Sequence, residues 1–244
     1  MGLAIVHHFI FERAASAKIK AGSFRVLHRF LRSSWRGWLG AVLLLSLLHP
    51  ALLIGDEQSQ AVRESHLFKV RSALELREVQ MNQDSAARLA RSITRESEKH
   101  SLDPLLVLAV IEVESRFDHK AVSPQGAQGL MQIQPVVVTA LAEEGKIPPQ
   151  LKNRKLNLKD PAVNVRVGAS YLAYLKEMFG DLKVALTAYN SGPTWVSKKI
   201  AAKQALPLGY ATKVLSVRHS LENQLARLEA SRTEFSATST QASG

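Results

Sequence analysis

"SLDPLLVLAVIEVES", residues 101–115, decides the fold class. Asp103 stands where an N-cap side chain accepts from the first free amides of a helix, and Pro104 takes the first helical position, where its missing N–H costs nothing. From Leu105 to Ile111 every residue is apolar, so this helix is expected to be buried on all sides rather than along one stripe. Such a helix needs others around it. Further helices are expected over 136–145, 161–179 and 181–190, the second opened by Asp160 and Pro161, with short Gly-punctuated segments between them. Apart from a short β hairpin around 127–133 no run of alternating strands is visible. The class is mainly α.

The same stretch ends on two glutamates one residue apart, which a helix turns to different faces. Neighbours on a helix surface lie three and four residues away. For Glu112 they include Arg116, a ready partner for its charge; for Glu114 they are Val110, Ile111, Phe117 and Asp118, which supply apolar contact, a second acid and no cation. Burial and a like charge both raise a carboxyl pKa. An ordinary Glu is protonated in only about one molecule in 500 at pH 7, and a rise of about two units makes the acid form common. Glu114 is therefore the better proton donor, against the plainer reading of a carboxylate pointing to solvent at a helix end.

The next segment, "AVSPQGAQGLMQIQP" at 121–135, carries no charge, two glycines three apart and the amides of Gln128, Gln132 and Gln134. Glycines permit close backbone approach, and amides both donate to and accept from hydroxyl and acetamido groups. A saccharide suits this loop better than a phosphate backbone does.

At this point the chain resembles a family, the lytic transglycosylases with the SLT (goose-lysozyme-like) domain. "LDPLLVLAVIEVESRFDHKAVSPQGAQGLMQI" is similar to the family's first motif and "DPAVNVRVGASYLAYLKEMFGDLKVALTAYNSGP" to its second and third, in order, over about 86–215. The resemblance implies a lysozyme-like helical fold and no cofactor, with Glu114 as the catalytic residue. It also implies substrate contacts at Ser123, Met131, Gln132, Tyr189, Asn190 and Tyr210, with Tyr189 holding Glu114 or the leaving sugar. Gln134, Ser191 and "LPLGYATKVL" depart from the family pattern.

The implied activity is cleavage of the β-1,4 bond between N-acetylmuramic acid and N-acetylglucosamine of peptidoglycan, with a 1,6-anhydromuramyl product. Two alternatives stand beside it: a goose-type hydrolase, which would need a second carboxylate, and a non-catalytic wall-binding or secretion-assembly protein.

Outside that domain the sequence is read by composition. The formal charge is +11, of which +6 falls in residues 1–55, so the basic excess lies ahead of the domain and argues against nucleic acid as partner. The absence of cysteine excludes disulfides and a thiol nucleophile, and no pair of the eight histidines has metal-ligand spacing. Residues 1–37 form a basic cytoplasmic segment. The apolar stretch "WLGAVLLLSLLHPALLIG", 38–55, is expected to be a transmembrane anchor, with a cleaved signal or a buried helix as rivals. A helical stalk is expected over 56–85, a C-terminal helix over 216–230 and a disordered tail over 231–244. Together these place the chain in a bacterial inner membrane, single-pass, with its domain in the periplasm among peptidoglycan strands. That setting admits cell-envelope machinery as a partner.

Overall fold

The helix over Pro104–Ser115 runs through the middle of the packed core, and Leu105 through Ile111 are all at most 6% exposed. In a computed structural model, residues 57–147 and 156–241 are described, the side chains only as far as 234. The 38–55 anchor, the basic segment before it and the last three residues of the tail lie outside the described residues. None of the described helices is long and apolar enough to cross a membrane. The chain divides into two compact units, residues 1–59 and 60–244, and the core and the cleft both belong to the second.

In chain order the helices are α1 (57–76), α2 (Gln83–Lys99), α3 (Pro104–Ser115), α4 (Pro135–Glu143), α5 (Pro161–Phe179), α6 (Leu182–Ser191), α7 (Pro193–Ala201) and α8 (Gly209–Gln241). Among the described residues there is no strand. The expected hairpin is reduced to two isolated antiparallel bridges, Val122 with Gln128 and Gln128 with Ile133. Asp103, Asp160 and Asp181 each cap a helix through the side chain, accepting from Leu105, Val163 and Val184.

Three boundaries differ from the sequence reading. The segment expected as a stalk is not separate from the domain: Val70, Ala73 and Leu74 of α1 are buried in the common core. Its helical spacing of apolar residues is the same for a stalk and for a packed helix, and only tertiary contact distinguishes them. The C-terminal helix begins at 209 and continues to 241, so the expected disordered tail is largely helix. That tail holds neither Gly nor Pro before its last residue, so nothing in it breaks the hydrogen-bond ladder. Finally, Gly192 and Pro193 end one helix and start another, α7, which periodicity does not reveal.

The chain leaves α3 through two residues in the left-handed region, Arg116 (φ 52°) and Phe117 (φ 66°). It then enters the loop 121–134, which is pinned to α5 by one side chain. Asn164, fully buried, accepts from the Met131 amide at 2.7 Å and donates to the carbonyls of Gln128 and Leu158, both at 2.7 Å. Gly129 sits against this clamp at φ +75°, and a Cβ there would come within 2.2 Å of the Leu158 carbonyl oxygen and 2.4 Å of Asn164 Nδ2.

Replacing Asn164 by Ala leaves the Met131 amide and the Leu158 carbonyl unpaired at roughly 1–3 kcal/mol each, while the Gln128 carbonyl keeps the Ile133 amide as a donor. Asn164→Ala is expected to cost about 2 kcal/mol or more in urea unfolding followed by circular dichroism; a loss below about 1 kcal/mol contradicts the clamp.

Candidate active site

Glu114 lies in the last turn of α3 and faces a cleft of about 390 Å³. The loop lines this cleft with Ser123, Gln132 and Gln134, α5 with Tyr171, and the end of α6 with Tyr189 and Asn190. No other carboxylic acid is among the described residues that line it. α8 brings Tyr210 to Glu114 from 96 residues away, and the tyrosine hydroxyl donates to Oε1 at 2.5 Å.

Burial pushes the Glu114 pKa above the ordinary carboxyl range, with the Tyr210 hydrogen bond and the nearby Lys213 charge acting in the opposite direction. The cation-free setting expected from α3 alone is corrected by this arrangement, because Lys213 supplies a cation from a different helix. The second acid, Asp118, lies beyond the helix end, where its Oδ1 accepts from the Lys120 amide. Glu112 does not use Arg116 as partner either. Because Arg116 is the left-handed C-cap, the helix has ended before the i+4 position, and Glu112 pairs instead with Arg77, in the turn just after α1, at 2.8 Å.

The other expected residues divide. Ser123 and Asn190 line the cleft, Asn190 exposed. Ser123 Oγ also accepts from the Ala127 amide at 3.1 Å, closing the turn between them. Gln132 is at the cleft, but its amide nitrogen donates to the carbonyls of Gly129 (2.9 Å) and Ala121 (3.3 Å), which commits both hydrogens to the loop and leaves only the amide oxygen for a ligand.

Met131 is not a substrate contact. It is 0% exposed and packs beneath the loop against Gly168, where a Cβ would come within 2.4 Å of its sulfur. Tyr189 does not hold Glu114 by a hydrogen bond: its hydroxyl donates to the Met131 carbonyl at 2.8 Å. Tyr210 makes the bond to Glu114 that the resemblance assigns to Tyr189. Burial, then the Glu114 charge, pushes both phenols upward.

Two residues escape the sequence reading. Tyr171 stacks at 5.3 Å, tilted 45°, on the Tyr189 ring and lines the cleft, its phenol pushed up by burial to about 12. It lies in an apolar helical run, where an aromatic reads as core. Asn164 is the other, and its only signal is a polar residue four positions after the Asp160 cap.

Residues 91–208 match the family model of the transglycosylase SLT domain. Over that stretch, a little under half of the chain, the sequence is similar to a transglycosylase SLT domain. It is 32% identical over 124 residues to the soluble lytic murein transglycosylase of Escherichia coli strain K12, a match covering 49% of this chain and 19% of that protein. It is 34% identical over 111 residues to the membrane-bound lytic murein transglycosylase C of Shigella sonnei, covering 41% and 30%. The crystal structure of the 70-kDa soluble lytic transglycosylase from Escherichia coli aligns at 26% identity and a TM-score of 0.46, covering 57% of this chain and 27% of that one. The chain thus spans less than a third of the length of these relatives.

The raised Glu114 pKa has a consequence for stability. At low pH the group is neutral in both folded and unfolded chains; above about 4.5 the unfolded chain ionises first, and stability is lost as pH rises through the folded pKa. Glu114→Gln removes that loss. It is expected to raise the melting temperature at pH 7 relative to the parent, with the difference vanishing below pH 4.5. An unchanged or lower melting temperature at pH 7 contradicts the raised carboxyl pKa.

Proposed function

We propose that the chain is a peptidoglycan lytic transglycosylase that acts through Glu114 alone. The observation that carries this reading is a single half-buried carboxyl, raised in pKa and oriented by a tyrosine, in a cleft otherwise lined by uncharged groups. A two-carboxylate hydrolase needs its second acid about 5–9.5 Å across the scissile bond. Asp118 instead lines a separate groove.

In the proposed reaction Glu114 gives its proton to the oxygen bridging N-acetylmuramic acid and N-acetylglucosamine. The muramyl acetamido oxygen assists at C1 as that bond breaks. Glu114, now a carboxylate, takes the proton of the muramyl 6-hydroxyl, and O6 closes on C1 as the acetamido oxygen leaves. The products are a free N-acetylglucosamine end and a 1,6-anhydromuramyl end; no water is consumed, and Glu114 ends protonated as it began. Ser123, Asn190 and the Gln132 oxygen would orient the sugars, Tyr171 and Tyr189 would form the cleft wall, and Tyr210 would hold Glu114 in place.

We also read 38–55 as the anchor that keeps this domain at the periplasmic face of the inner membrane, within reach of glycan strands and envelope machinery. One of the relatives named above is soluble and one membrane-bound, which leaves both arrangements compatible with the domain.

Digestion of purified peptidoglycan by the full chain, with mass spectrometry of the sugars, tests the reaction. Anhydromuramyl ends are expected. Reducing ends would replace the reading with a hydrolase, and no cleavage would replace it with a binding protein. Glu114→Gln is expected to lower the cleavage rate by roughly 10²–10⁴-fold, while Glu112→Gln retains cleavage.

Tyr210→Phe removes an interaction that lowers the Glu114 pKa. Cleavage is expected to slow by about tenfold or more, and the alkaline limb of the pH profile should move to higher pH, because Glu114 then keeps its proton longer. A limb that stays in place or moves down contradicts Tyr210 as its partner.

A further inference from the structure

We propose that the outward face of α2, with Arg166 of α5 beside it, is a docking surface for an anionic phospholipid bilayer; this rests on the reading of 38–55 as an anchor. Arg88, Arg91, Arg95 and Lys99 are all exposed and follow one another at i, i+3, i+7 and i+11, which places them on one stripe of the helix over a rise of roughly 16 Å. Two acids border the stripe: Asp84 lies at the far end, in the first turn, and Glu98, half-buried, is paired with Arg63.

The stripe is reinforced from below. Glu96 is 2% exposed, and its Oε1 accepts from Arg95 at 2.8 and 3.0 Å with Arg166 Nε at 3.7 Å, while Oε2 has no partner. One buried carboxylate thus draws two guanidiniums from different helices together. Both remain largely open to solvent, 57% and 42% exposed. A guanidinium held this way presents its remaining N–H groups as a preset fork for phosphate oxygens.

Chain length limits how far this row can lie from the apolar stretch. α1 and α2 form an antiparallel hairpin: Arg63 of α1 pairs with Glu98 of α2 at 2.9 Å, and His66 lies 3.9 Å from the same carboxylate. The Lys99 end of the row therefore stands beside Arg63, eight residues after the apolar stretch ends at Gly55. Eight residues span at most about 28 Å when fully extended. A chain anchored through 38–55 holds these cations close to the headgroups at high effective concentration. Juxtamembrane cations gain affinity for anionic leaflets at roughly fivefold per residue. A linear array on an outward helix face matches a flat anionic surface, where a small anion would call for a concave pocket.

Lysine footprinting of the full chain tests this. The chain is reconstituted in phosphatidylcholine vesicles and in vesicles that also contain phosphatidylglycerol, and amine acylation is followed site by site. Lys99 labelling is expected to fall several-fold in the anionic vesicles with Lys183 and Lys203 as unchanged references, and to recover at about 0.5 M salt. Arg88→Gln with Arg91→Gln, at exposed positions with no buried partner, should restore labelling while leaving peptidoglycan cleavage intact.

Equal Lys99 labelling in both vesicle types overturns the proposal. So does protection by peptidoglycan fragments in neutral vesicles, which would assign the face to the wall. Failure of the chain to float with neutral vesicles contradicts the anchor alone, and Lys99 protection in the anionic arm then still supports the docking face.

Discussion

The hydrogen bond from Tyr210 to Glu114 closes the chain on itself and fixes what the remainder of the structure has to accomplish. It is one of two ties between α3 and α8. At the opposite end of α3 the capping residue Asp103 pairs with Arg218, so α8 lies antiparallel along the buried helix and is fastened near both ends of α3. With Glu114 at the last turn of a helix whose apolar run is buried on every side, the carboxyl is held on a support that cannot rotate without breaking the core. The side chain is drawn up in pKa by burial and held down by one tyrosine and one lysine, both supplied from α8. Loss of the α8 contact would change geometry and acidity together.

The opposite wall of the cleft depends on a second tie. Asn164 fastens the loop by backbone atoms alone, and Tyr189 meets the same loop from α6 through the Met131 carbonyl. The side chains that remain available to a ligand include Ser123, Gln134, Asn190, the oxygen of Gln132 and the tyrosine faces. Much of the loop's polar composition is spent in shaping it. Among the described residues that line the cleft, this uncharged wall leaves the Glu114 carboxyl without a second acid, in keeping with the proposed reaction, in which one residue acts first as acid and then as base.

Helix positions are legible from residue order because capping, proline placement and the all-apolar run from Leu105 are local signals. α3, α5 and α6 lie within a residue or two of the expected bounds. Glu114 can be preferred over Glu112 by its helical neighbours, although those neighbours are only part of its surroundings. The partners that matter, Arg77 for Glu112 and Tyr210 with Lys213 for Glu114, come from far along the chain, and no short window of sequence contains both sides of such a pair. The same limit explains Met131 and Tyr189. Their family positions are recognisable, but whether a side chain faces the cleft or the underside of the loop depends on how α5 and α6 press against it. α1 differs from its expected role for a related reason, since an apolar stripe reveals that a helix has a packing face without naming what it packs against.

The proposed acid step requires Glu114 to be neutral over a range of pH in which an ordinary glutamate is ionised. A carbon-13 NMR titration of the glutamate side-chain carboxyls, with Glu114 assigned by its loss in Glu114→Gln, measures this without reference to any substrate. Glu114 is expected to titrate above the ordinary glutamate value of 4.5 and to move higher again in Tyr210→Phe. A Glu114 resonance that titrates at or below that value in the parent chain would contradict the proposed acid step.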